Sequence, residues 1–89
     1  MDEELFGRLK EWRIGLAGVQ KVPAYVIFTD ATLVALAERR PTSIDQLIDI
    51  AGIGPRKLGL YGQAVLALVA GARPADLVAM STSESSATT

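Results

Sequence analysis

Apolar residues recur along most of the chain at helical intervals. Leu5, Leu9, Trp12 and Leu16 follow one another at steps of four, three and four. This lays one apolar stripe along a helix predicted from about Asp2 to Ala17. Asp2, Glu3 and Glu4 fall in its first turn, where carboxylates suit the helix dipole. Gly18 is the expected closing residue, with Val19, Gln20 and Lys21 leading the chain out. Pro23 pre-sets a turn or a short helix, and Tyr25, Val26, Ile27 and Phe28 are expected to be half-buried. Thr29 or Asp30 caps a helix over Ala31 to Arg40, with Leu33, Leu36 and Ala37 facing inward. Pro41 stops it.

Thr42 or Ser43 caps the next, short helix. With Thr42 as the cap, Asp45 takes the third helical position, as in a capping box. Ile44, Leu47, Ile48 and Ala51 are its expected buried face. Gly52 suits a left-handed closing residue, Ile53 packs at the turn, and Pro55 opens a last long helix to about Ala70. Leu58, Tyr61, Val65 and Leu68 line its core face. Arg73 to Met80 has room for one or two more helical turns. The expected domain is 1–73, followed by a mostly disordered tail over 74–89, whose end, Ser81 to Thr89, has almost nothing to bury. About five helical pieces with short connections predict an all-α bundle.

Composition narrows the function classes. The 89 residues include no cysteine and no histidine. The common bases, nucleophiles and zinc ligands are therefore missing, and no disulfide can staple the core. Neither catalysis nor a cofactor is expected. Asp45 and Asp49 share a helix face, but a solvated surface explains them more simply than a metal site. The acidic start, Met1 to Glu4, is unlike a secretory signal. The longest apolar run, Ala64 to Ala70, is seven residues, well short of the roughly 18 a membrane span needs. A soluble, cytoplasmic, monomeric protein is the expectation.

Charge is unevenly spread. The net charge is −1, yet Leu5 to Arg73 holds nine cations against five acids, and Ile50 to Ala75 holds no acid. A local basic surface fits such a chain. The stretch of interest is IAGIGPRKLGLYG, Ile50 to Gly62. Gly52 permits positive φ, and Gly54 leaves backbone uncovered just where a helix begins. The first N–H groups of that helix lack intrahelical partners and can donate to a phosphate oxygen. Arg56 and Lys57 stand in its first turn, against the dipole. Two readings stand side by side: a plain corner between helices, and a corner that holds an anion. Trp12 reads as a core anchor ahead of a base-stacking residue.

Val22-Pro23-Ala24-Tyr25, Phe28-Thr29-Asp30-Ala31-Thr32-Leu33, Arg40-Pro41, Gly52-Ile53-Gly54, Lys57-Leu58 and Tyr61-Gly62 together resemble an HRDC domain, the helicase and RNase D C-terminal module. The resemblance extends from Leu5 to about Gly71. It implies a small five-helix bundle with a helix-hairpin-helix-like corner. It further implies an accessory domain of RecQ-type or UvrD-like DNA helicases, or of RNase D, with the helicases favoured here. The implied role is weak binding of single-stranded or junction DNA, or else contact with the parent helicase domains or a partner. The motor ATPase lies elsewhere, and the chain looks like a piece of a larger protein. Gly59-Leu60 replaces a charged pair common in the family, which removes charge beside the corner. The nucleic-acid candidates are Gly52 and Gly54 for exposed backbone, with Arg56 and Lys57 for phosphates. Tyr25 is a stacking or half-buried residue, and Lys21, Arg39 and Arg40 are further phosphate contacts. Asp30 is assigned to capping. Gly59 to Gly62 and Ala75 to Met80 are candidate sources of an apolar docking patch.

Overall fold

A computed structural model describes residues 1–78, and these are helices and turns without strands. The helices are α1 (Glu3–Gln20), α2 (Ala24–Ile27), α3 (Asp30–Arg39), α4 (Ile44–Ile48) and α5 (Pro55–Val69). A sixth helical stretch begins at residue 74 and runs through 78. There Leu77 and Val78 lean on the core. Residues 79–89, which hold most of the tail expected from 74 onward and the end of the candidate patch at Met80, lie outside the described residues. Among the described residues no helix is long and apolar enough to cross a membrane.

The stripe of α1 is buried as its spacing requires: Leu5, Leu9, Trp12 and Leu16 all lie in the core. Asp2 caps the helix, its Oδ1 accepting the Leu5 N–H at 3.0 Å. The C-terminal end departs from expectation. The helix runs past Gly18 through Gln20, and Lys21 closes it with φ 58°. Lys21 N–H donates to Gly18 O, and Val22 N–H donates to Ala17 O. That is a Schellman closure with lysine where glycine is usual. Val22 packs against the core, which fixes the exit at this turn.

In α2 the expected half-burial splits in two. Ile27 and Phe28 are fully buried, whereas Tyr25 and Val26 are exposed. A single helical turn cannot turn four consecutive side chains to one face. Thr29, not Asp30, caps α3, and its side chain accepts the Thr32 N–H. Asp30 instead meets Arg13, with Oδ1 2.7 Å from the guanidinium. Arg40 closes α3 in the left-handed region, its N–H donating to Leu36 O, and Pro41 follows.

Ser43, not Thr42, caps α4, and Gln46 rather than Asp45 completes the turn by accepting the Thr42 N–H at 2.8 Å. The helix ends at Ile48, so the phase of the apolar pattern breaks there. Ile50 is buried, while Ile48 and Ala51 are exposed. In α5, Val65, Leu68 and Val69 are buried, and Leu58 and Tyr61 are half-buried. Trp12, Phe28 and Tyr61 meet as three rings at centroid distances of 5.6 to 6.0 Å. They join α1, the α2–α3 link and α5.

Candidate nucleic-acid interface

α1 and α5 run antiparallel. Arg8, near the start of α1, donates to Leu68 O near the end of α5. Gln20, at the end of α1, donates to the Tyr61 hydroxyl at 3.2 Å. The beginning of α5 therefore lies beside the end of α1. Lys21 sits one residue beyond Gln20, and Arg56 lines a groove with Val19 and Gln20. Lys57 holds its ammonium 5.4 Å from the centroid of Phe28, three residues after Tyr25. Lys21, Tyr25, Arg56 and Lys57 thus belong to one end of the bundle.

Arg39 and Arg40 do not. Arg40 Nε stands 3.7 Å from Asp2 Oδ2, at the opposite end of α1. With 18 residues, α1 puts about 27 Å between its two ends at a rise of ~1.5 Å per residue. Arg39 borders a hollow that Pro41, Gln46 and Asp49 also line. Arg39 and Arg40 are thus set apart from Lys21, Tyr25, Arg56 and Lys57, with Arg39 on the side of the corner where Asp49 lies.

Within the corner, the two glycines differ in kind. Gly52 has φ +94°, and a Cβ added to it would collide with Thr32 Oγ1. That hydroxyl donates to Ala51 O at 3.1 Å and ties the corner to α3. Gly52 is thus required by the fold alone. Gly54 is different: an added Cβ would meet nothing within 4 Å. It is the N-cap of α5, and no side chain caps that helix. The N–H groups of Arg56 and Lys57 point out of the first turn without an intrahelical partner.

The two cations also differ. Lys57 is half-buried and rests on an aromatic face, an attraction that offsets its unfavourable place on the dipole. Arg56 is exposed and makes no ion pair with any described residue. Helix α5 has no carboxylate along its length. Tyr25 is 68% exposed, which leaves its ring open to solvent. Among the described residues no group of three or more acidic side chains is placed to hold a metal ion.

Arg13 is the residue that sequence reasoning passed over. It is 6% exposed, and its guanidinium donates to Phe28 O at 2.9 Å while pairing with Asp30. The signal was present: Arg13 follows Leu9 by four and precedes Leu16 by three, which places it within the buried stripe. It holds the Phe28 backbone, and Phe28 in turn supports Lys57.

Comparison with known proteins agrees with this architecture. The family model for the HRDC domain matches residues 2–69. The ATP-dependent DNA helicase UvrD2 of Mycobacterium tuberculosis is 58% identical over 71 residues, covering 80% of this chain and 10% of that protein. The ATP-dependent DNA helicase RecQ of Haemophilus influenzae is 40% identical over 68 residues, covering 76% of this chain and 11% of that protein. The chain thus spans about a tenth of the length of these relatives. The solved structure of D. radiodurans RecQ HRDC domain 3 superposes with a TM-score of 0.73 at 34% identity, covering 76% of this chain and 90% of that one. The chain belongs to the HRDC domain family, an accessory domain of RecQ- and UvrD-type helicases.

Proposed function

We propose that this domain is a non-catalytic module that holds single-stranded or junction DNA weakly for an ATP-dependent DNA helicase acting in the cytoplasm. One observation supports the reading: the uncapped start of α5 carries Arg56 and Lys57, at the end of the bundle where Lys21 closes α1 and Tyr25 is exposed. The cations and the free N–H groups beside Gly54 suit phosphates, and an open aromatic face suits an unstacked base. Such contacts follow the backbone and carry little sequence preference. The residues over 1–73, with the helical stretch over 74–78 packed on them, form the working unit, without a cofactor.

The test is an NMR titration of the labelled 89-residue chain with short single-stranded DNA. It is run at low salt and at about physiological salt, where the Debye length is about 8 Å. Shifts centred on Lys21, Tyr25 and Gly54 to Leu58, weakened by salt, support the reading. An absence of shifts at low salt overturns it.

A further inference from the structure

A groove of about 460 Å³ runs along the α1–α5 seam. Trp12 and Leu16 form its floor and are closed to solvent at 1% and 4% exposure. Val19 and Leu60 form its open walls, at 50% and 59% exposure. Its polar members are Arg56, Gln20 and the Tyr61 hydroxyl, and no carboxylate lines it. Two large aliphatic side chains facing each other across a seam are not required by the fold, since neither belongs to the buried core.

We propose that this groove docks an acidic amphipathic helix of a partner protein, a role beyond the DNA-binding reading. Charge selects the occupant. Arg56 at the rim, with Lys21 and Lys57 close by, favours a carboxylate on the incoming chain and disfavours a basic one. Surface chemistry selects protein over nucleic acid here. A base needs an open ring to stack on. Trp12 is covered, and Tyr61 is half-buried with its ring turned edge-on to Trp12. Between its polar members the groove offers the aliphatic side chains of Val19, Leu60 and Ala64, which fit Leu- or Ile-type anchors one helical turn apart. The Gln20–Tyr61 pair gives the partner a polar stop at one wall.

The probe is a blocked helical peptide with Leu at i, i+3, i+4 and i+7 and Glu elsewhere, set against a twin with Lys in place of Glu. Each is titrated into the labelled 89-residue chain. The expected result is that the Glu peptide shifts Val19, Leu60, Ala64 and the Trp12 indole, and that the Lys peptide does not. Leu60→Asn and Val19→Asn each weaken the Glu peptide by about fivefold or more, as loss of an aliphatic anchor should. Both variants are neutral, so they leave DNA binding at the corner as it was, which separates failure of this proposal from failure of the DNA reading. Four results overturn the proposal: no shifts from either peptide, equal binding of both peptides, groove shifts produced by single-stranded DNA, or groove shifts that depend on protein concentration alone. The last would make a second copy the occupant.

Discussion

Lys57 and Arg13 hold two different parts of the same residue, Phe28, its ring and its carbonyl. The Lys57 ammonium lies 5.4 Å from the Phe28 ring centroid, and the Arg13 guanidinium binds the Phe28 carbonyl at 2.9 Å. Phe28 itself is 1% exposed. A surface cation is thereby tied, through one buried aromatic residue, to a buried cation on another helix.

Arg13→Met should destabilise the domain by about 1–3 kcal/mol. It keeps an aliphatic stem in the stripe but leaves Phe28 O buried without its donor. Asp30→Asn should cost about 1 kcal/mol or less, because the Asp30 side chain is 75% exposed and well solvated. Urea unfolding of the two variants gives the comparison. Equal losses would mean that the ion pair, not the carbonyl contact, holds the link.

Gly52→Ala should be strongly destabilising, by about 1–3 kcal/mol, since it combines a left-handed φ with a collision at Thr32. Thr32→Ala removes the obstacle, so the double variant should lose less than the two single losses added together. Thermal melts of the set test this. Strict additivity would show that Thr32 does not confine the corner.

Lys57→Ala and Arg56→Ala should each weaken single-stranded DNA binding and flatten its salt dependence. The slope should fall by about 0.7 for each phosphate that is no longer neutralised. The pair Arg39→Ala and Arg40→Ala should leave that slope unchanged, because they lie at the far end of α1. Fluorescence titrations across salt concentrations decide it. A slope change from the Arg39 and Arg40 variants would place DNA along the length of the bundle.

Lys21→Gly should move stability and binding in opposite directions. Glycine adopts the left-handed turn without the Cβ penalty, a gain of up to about 1 kcal/mol. In a domain of this size that raises Tm by about 4–8 °C. The same change deletes a cation from the proposed DNA edge. A higher Tm with unchanged DNA affinity would remove Lys21 from the site.

The parts of the fold that were legible in the sequence are those where one strong local signal stands alone. The four-residue stripe of α1, the inner face of α3 and the Gly52 corner all follow from spacing or from the backbone freedom of glycine. Other features needed the tertiary structure. Ile48 and Ile50 exchange roles because α4 stops after five residues, and no residue in that stretch announces the stop. Gly18 was the stronger closing signal, but Val22 packing on the core moved the closure to Lys21. The candidate site was legible in kind but not in extent. Nothing in the sequence around Pro41 shows that Arg40 sits beside Asp2, at the opposite end of α1 from Lys21. Arg13 was missed because its charge outweighed its position.

The single tryptophan of the chain lies within this arrangement. Trp12 is shut away from water, 5.7 Å from Tyr61 and 6.0 Å from Phe28. The domain therefore carries its own optical reporter. Folded protein should emit at the short-wavelength end of the tryptophan range, and excitation of Tyr61 should pass to the indole with high efficiency at this separation. Unfolding then announces itself as a red shift and the return of tyrosine emission. A ligand seated between α1 and α5 disturbs the same pair without unfolding anything, so one unlabelled sample distinguishes occupancy from denaturation.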